Sequence, residues 1–250
     1  MEKKTVGILG GMGPLATADL FRKIIEITDA KCDQEHVHVL IDSNTNIPDR
    51  TAAILHGGKD PVPELTKSAK TLAGAGADLL IMPCNTAHYF YDKVQEAVKI
   101  PVLSIIEATA DRILAEGKNE ALILCTDGTK DAGVYDRIFE KRGIRTCYPD
   151  AEIQKDVMSM IYEGVKAGVP AFCEKERAAK EMQPRIEKIE GCAERVNGFI
   201  AGKGGMITVL ACTELPIAKD IYELKGTFVD PTACLAEAAV RAAGYPVKEK

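Results

Sequence analysis

The sequence predicts an α/β fold of two pseudo-symmetric lobes, each a mostly parallel sheet flanked by helices, with the functional site in the cleft between them. Three observations carry this. Short apolar runs alternate with segments of helical period, the pattern of a parallel sheet with helices on its faces. The alternation starts afresh near the middle of the 250 residues. One strand in each half ends in a cysteine followed by polar residues: Ile81-Met82-Pro83-Cys84-Asn85-Thr86 and Val209-Leu210-Ala211-Cys212-Thr213-Glu214.

In chain order, residues 5–9 read as a strand, Gly10-Gly11-Met12-Gly13-Pro14 as a tight loop, and 16–30 as a helix with Leu20, Phe21, Ile24, Ile25 and Ile27 at helical spacing. Residues 37–41 form a second strand, followed by a polar loop that runs from Asp42 to Arg50. A helix over 62–75 turns Leu65, Ala69 and Leu72 to one face, strand 78–82 leads to Cys84, and a helix through Val94 and Val98 follows. A short strand at 102–104 and a helix at 107–115 complete the first half. The second half predicts a strand at 120–125, a loop at 126–129, a helix at 135–142, and longer helices at 153–167 and 174–200. In the last of these, Met182, Ile186, Ile189, Ala193, Val196 and Ile200 step by four and three. Strand 205–210 leads to Cys212, strand 227–229 follows a short helix, and a helix over 232–243 ends the chain.

The halves align in order: residues 5–11 with 121–127, 81–86 with 209–214, and 101–104 with 227–230. This is a duplication with insertions, not a short-period solenoid. The reading divides the chain into a first lobe, 1–113, that carries Cys84 and is joined by 220–250, and a second, 114–219, that carries Cys212. Facing lobes would set the two cysteines on opposite walls of one cleft, a favoured place for small-molecule sites.

The bulk composition excludes several classes. A net charge of −5 spread along the chain leaves no basic footprint for nucleic acid. Apolar runs of four to seven residues are too short to span a membrane. Met1-Glu2-Lys3-Lys4 enters a strand without a signal-peptide pattern, which points to a cytoplasmic protein. The eight cysteines (32, 84, 125, 147, 173, 192, 212 and 234) contain no CxxC. Most of them read as small buried apolar residues, and Cys84 with His88 makes one i, i+4 pair, too little to specify a metal.

A strand end that opens into a helix aims backbone N–H groups and the positive end of the helix dipole at the sulfur, which favours thiolate. Two thiols so placed, one in each half, suggest a matched acid and base. A rival pattern lies at Gly11-Met12-Gly13-Pro14-Leu15-Ala16, which satisfies the dinucleotide fingerprint of an NAD-dependent oxidoreductase. However, Pro14 removes an N–H from that loop, and Asp42 lies beyond the usual spacing for the ribose-binding acid. A two-lobed, non-catalytic binding module is a third reading; like the second, it leaves the paired cysteines unexplained.

Taken together, Gly7-Ile8-Leu9-Gly10-Gly11-Met12-Gly13-Pro14, Pro83-Cys84-Asn85-Thr86-Ala87-His88 and Ala211-Cys212-Thr213-Glu214-Leu215-Pro216 resemble the signatures of the aspartate/glutamate racemase family. Asp49-Arg50-Thr51, Gly128-Thr129 and the stretch from Ile161 to Gly168 add to the resemblance, which runs the length of the chain. It implies a homodimeric, cofactor-independent isomerase that interconverts L- and D-forms of an acidic amino acid. His88 and Glu214 resemble the aspartate racemase branch; a cell-wall-type glutamate racemase is the alternative. Cys125 stands where the family more often has alanine.

On this resemblance Cys84 and Cys212 are the catalytic pair, exchanging the roles of base and acid. The N–H groups of Asn85, Thr86, Thr213 and Glu214 are candidates to hold the substrate α-carboxylate. Arg50 and Lys166 would hold its side-chain carboxylate, Met12 approaches through its backbone, and Asp49 and His88 stand behind these groups. No metal and no organic cofactor is expected.

Overall fold

The computed structural model of the chain describes residues 3–167 and 183–249. The 174–182 part of the helix expected over 174–200, with Gly168 and Cys173, lies outside the described residues. The chain divides into two compact units, Met1–Arg112 with Pro231–Lys250, and Ile113–Asp230.

In the first unit, β1 (Val6–Gly10), β2 (Val39–Ser43), β3 (Leu79–Ile81) and β4 (Val102–Leu103) form a parallel sheet of order β2-β1-β3-β4. Every residue of β1 and β3 is buried, which is why both read as continuous apolar runs, whereas edge strand β2 is partly exposed. Helices α1 (Pro14–Ile27), α2 (Arg50–Leu55), α3 (Val62–Gly74), α4 (Tyr91–Glu96) and α5 (Ile105–Ala115) connect the strands. α1 begins on Pro14, whose fixed φ and missing N–H suit a first helical turn, and buries Ala16, Thr17, Leu20 and Ile24 along one stripe. α2 was not expected: the segment ending at Arg50 reads as polar loop, yet Asp49 caps a helix there by accepting the Ala52 N–H at 2.8 Å.

The second unit repeats the plan. β5 (Glu120–Cys125), β6 (Arg145–Cys147), β7 (Ile207–Ala211) and β8 (Phe228–Val229) form a parallel sheet of order β6-β5-β7-β8, the topology of the first sheet. Its helices are α6 (Asp127–Asp131), α7 (Asp136–Lys141), α8 (Ala151–Ser159), α9 (Gln183–Ala201) and α10 (Leu215–Ile221). α11 (Pro231–Ala242) returns to the first unit and packs on α1. The return falls at Pro231 because β8 pairs with β7 and keeps the residues before it in the second unit.

Three details depart from the sequence reading here. β6 went unseen because an edge strand of three residues, with Arg145 exposed, carries too little apolar signal. The expected loop at 126–129 contains the start of α6, where the Thr126 hydroxyl caps the Thr129 N–H at 3.2 Å. The expected helix at 153–167 is α8 followed by a π-helical turn, Met160–Lys166. Arg195 of α9 holds α8 through a two-pronged pair with Asp156, both contacts 2.7 Å. Among the described residues no helix is long and apolar enough to cross a membrane.

Candidate active site

Both cysteines sit just past the C-terminal ends of central strands, Cys84 beyond β3 and Cys212 beyond β7. That edge is where open α/β sheets carry their ligands. Each is 6% exposed.

In the first unit the site grows from three loops. After β1, Gly11 has φ +91°, and a Cβ there would lie 2.4 Å from the backbone of Asn44, so only glycine allows the two strand ends this close. The Gly11 N–H donates to Thr17 Oγ1 at 2.9 Å, and that hydroxyl donates to the Gly13 carbonyl at 3.0 Å. These glycines therefore serve a tight turn closed by Thr17, and the N–H a pyrophosphate would need is already engaged. After β2, Asp49 caps α2 and puts Arg50 in its first turn. Arg50 is 7% exposed, and its guanidinium donates to the carbonyls of Pro48 at 2.9 Å, Ile47 at 3.3 Å and Met12 at 3.3 Å. Met12 and Arg50 are thus brought together. Met12, Ile47 and Cys84 also belong to one buried cluster, so the three loops share a core.

After β3, Asn85 and Thr86 are buried and begin a 3-10 turn, Thr86–Phe90. The α-helix proper starts only at Tyr91, so the helix dipole expected behind Cys84 is that of one short turn. His88 has a role the sequence left open. Its Nδ1 lies 2.8 Å from the Cys84 carbonyl, and its Nε2 accepts the Ile105 N–H at 3.1 Å. Because Ile105 is the donor, Nε2 carries no proton and Nδ1–H donates to Cys84, which fixes a neutral imidazole. Burial drives its pKa down to about 4, against the backbone hydrogen bonds that favour the charged ring. With both nitrogens engaged, His88 pins the Cys84 turn to the start of α5 and offers no lone pair to a metal.

The second unit brings Cys212, Thr213, Glu214 and Lys166 into one neighbourhood. Thr213 is 1% exposed and Glu214 2%. The Cys212 thiol donates to Glu214 Oε2 at 3.0 Å, and the Thr213 hydroxyl donates to the same oxygen at 3.3 Å. The Cys212 pKa is raised well above the ordinary thiol value, first by burial and next by the Glu214 carboxylate. The positive charge of Lys166 and the Glu214 backbone N–H act the other way and are outweighed. The expectation that strand-end placement favours thiolate is therefore corrected for Cys212: burial, reinforced by a carboxylate 3.0 Å from the sulfur, outweighs the backbone N–H. Lys166 ends the π-helical turn, with Nζ 4.6 Å from the Tyr162 ring centroid. Such turns recur at functional sites. Elsewhere in this unit, the sequence reading did not single out Gln154, whose amide ties the Cys125 carbonyl (2.9 Å) to Asp127 (2.8 Å) at the end of β5. Burial pushes the Cys125 thiol above its ordinary range, so it behaves as a small core residue.

A family profile described as Asp/Glu/hydantoin racemase matches residues 9–239. The chain belongs to this family. It is 26% identical over 239 residues to the broad specificity amino-acid racemase RacX of Bacillus subtilis (strain 168), covering 94% of this chain and 96% of that protein. The Picrophilus torridus aspartate racemase structure superposes with a TM-score of 0.78 at 30% identity, over 98% of this chain and 96% of its own. Glutamate racemase from Francisella tularensis subsp. tularensis SCHU S4, solved with D-glutamate, shares the fold at a TM-score of 0.61 and 18% identity, over 97% of this chain and 81% of its own. As a member of this family the chain is a racemase, and therefore an isomerase. The two parallel sheets of matching order are the racemase architecture that the motifs implied.

Proposed function

We propose that this racemase interconverts the L- and D-forms of aspartate, glutamate or both, with Cys84 and Cys212 as its two acid/base groups and no organic cofactor. The observation that carries the reading is the equivalence of the cysteines. Each follows the third strand, in chain order, of its own sheet, and the sheets have the same order, β2-β1-β3-β4 and β6-β5-β7-β8. One thiolate removes the α-proton from one face of the substrate; the other thiol donates its proton to the opposite face of the carbanion-like intermediate. The enzyme then carries the thiolate on the second cysteine, and the reverse reaction exchanges the roles. Cys212, held as a thiol by burial and by Glu214, is the resting proton donor. Cys84 is proposed as the base in the direction in which Cys212 donates.

An α-proton of an amino acid is weakly acidic, so the intermediate needs aimed dipoles in a site shielded from water. The N–H groups of Asn85, Thr86, Thr213 and Glu214 are proposed for the α-carboxylate. Arg50 and Lys166 are proposed for the distal one, since an unpaired buried carboxylate would cost several kcal/mol. The same reading carries a homodimer in the cytoplasm, and sedimentation or light scattering of the purified protein checks the dimer.

The deciding experiment follows racemisation of aspartate and glutamate in deuterium oxide, after dialysis and without added cofactor. Cys84→Ala and Cys212→Ala should each abolish racemisation while the circular dichroism spectrum stays native. The wild-type product enantiomer should carry solvent deuterium at Cα. Full turnover by either variant, or product without deuterium, would sink the two-base scheme.

A further inference from the structure

One buried group near Cys212 remains unspent. Glu214 uses Oε2 to accept from both Cys212 Sγ and Thr213 Oγ1, at 3.0 and 3.3 Å. Its Oε1 is also buried and has no hydrogen-bond partner among the described residues. A carboxylate that is 2% exposed with one oxygen unpaired is costly, so such a group is kept where a ligand completes it. The ligand must be a donor and, to offset the charge, a cation. It must also come close to Cys212, because the other oxygen of the same carboxylate lies 3.0 Å from Sγ.

Taking the proposed reaction as given, we infer that Glu214 Oε1 receives the α-ammonium group of the substrate. The geometry of the chemistry supports this. A proton transfer at Cα requires the sulfur roughly 3–3.5 Å from that carbon. The amino nitrogen is one bond of about 1.5 Å from Cα, so it arrives within reach of a carboxylate already bonded to the sulfur. Glu214 then reads the feature that makes the substrate an amino acid, while the cations Arg50 and Lys166 read its carboxylates. The carboxylate also connects binding to chemistry: as the ammonium offsets its charge, the negative field opposing a Cys212 thiolate weakens, which eases proton donation by this thiol. Lys166 also bears on the sulfur by its charge, and its ammonium lies over the Tyr162 ring.

The test compares DL-aspartate, whose composition turnover cannot change, with succinate, which lacks only the amino group. In calorimetric titrations of the wild-type enzyme, succinate should bind at least tenfold more weakly than DL-aspartate. Glu214→Gln should weaken DL-aspartate by roughly thirtyfold or more, in line with loss of one partner of a buried charge pair, and leave succinate unchanged or tighter. Glu214→Asp should recover part of the discrimination. Equal wild-type affinities for the two ligands overturn the inference without any variant. So do equal losses in Glu214→Gln, the result expected if Glu214 were only a counter-charge for Lys166. A wild-type enzyme that exchanges the α-proton of aspartate but fails these comparisons refutes this role alone. One that neither exchanges that proton nor binds aspartate refutes the proposed reaction as well.

Discussion

His88 shows how a single buried side chain holds the turn of a candidate catalytic one. Its neutral ring joins the Cys84 carbonyl to the Ile105 N–H, and its pKa is lowered to about 4 by burial. In the unfolded chain the ring titrates near ~6.5. Between these values the unfolded state binds a proton that the folded state does not, so acid favours unfolding. The contribution is complete above pH ~6.5 and lost as pH falls towards about 4, about 3 kcal/mol in all. Melting temperatures at pH 7 and pH 4.5 should show the drop, and His88→Gln should show a smaller one. Arg50 combines two tasks in one side chain. It braces the carbonyls of Met12, Ile47 and Pro48, and it is proposed to hold the distal carboxylate. Arg50→Ala should lower kcat/KM on aspartate or glutamate by roughly 2–4 kcal/mol, and Arg50→Lys should restore only part. Any residual activity on alanine should barely change, because alanine has no distal carboxylate. Equal losses on acidic and neutral amino acids would mean that bracing is the only role.

At the scale of elements, the short helix α2 is the piece that presents Arg50, and Asp49 is what starts it. Removing the cap in Asp49→Ala should cost about 1 kcal/mol of stability. Since Arg50 lies in the first turn, the same change should raise KM for acidic substrates more than it lowers kcat. A variant with the stability loss and unchanged KM would separate the cap from the site. α2 escaped the sequence reading because six residues give too few turns for a helical period to show against a polar loop. β6 escaped for the matching reason in strands. The π-helical turn ending at Lys166 was read as ordinary helix, because one extra residue in a turn leaves the apolar spacing almost unaltered.

For the molecule as a whole, the duplicated sheets mean that each unit supplies one cysteine and one candidate cation: Cys84 with Arg50, and Cys212 with Lys166. The duplication is unequal in its electrostatics. Cys212 shares its surroundings with a buried carboxylate, whereas the Cys84 turn is held by a neutral imidazole. On the proposed two-base scheme the two directions should therefore differ in the pH dependence of kcat. The direction that starts with Cys212 as donor should hold its rate to lower pH than the direction requiring Cys212 thiolate. Because the equilibrium constant between enantiomers is one, kcat/KM must match in the two directions, so the comparison is of kcat at saturating L- and D-substrate across pH 6–9; superimposable kcat profiles would mean that Glu214 leaves no kinetic asymmetry.

The sequence by itself determined the two-sheet plan, the equivalence of Cys84 and Cys212, and the family. These follow from apolar runs buried on both faces and from short motifs at strand ends, which are local properties of the chain. Only the tertiary structure decided what surrounds each sulfur. His88 meets Ile105 and Arg50 meets Met12 through hydrogen bonds, and the charge of Lys166 bears on Cys212, each pair being distant in sequence. Even Glu214, two residues from Cys212, could be read only as a polar helix start. Whether its carboxylate faces water or the sulfur depends on burial, and burial is set by the packing of the whole unit.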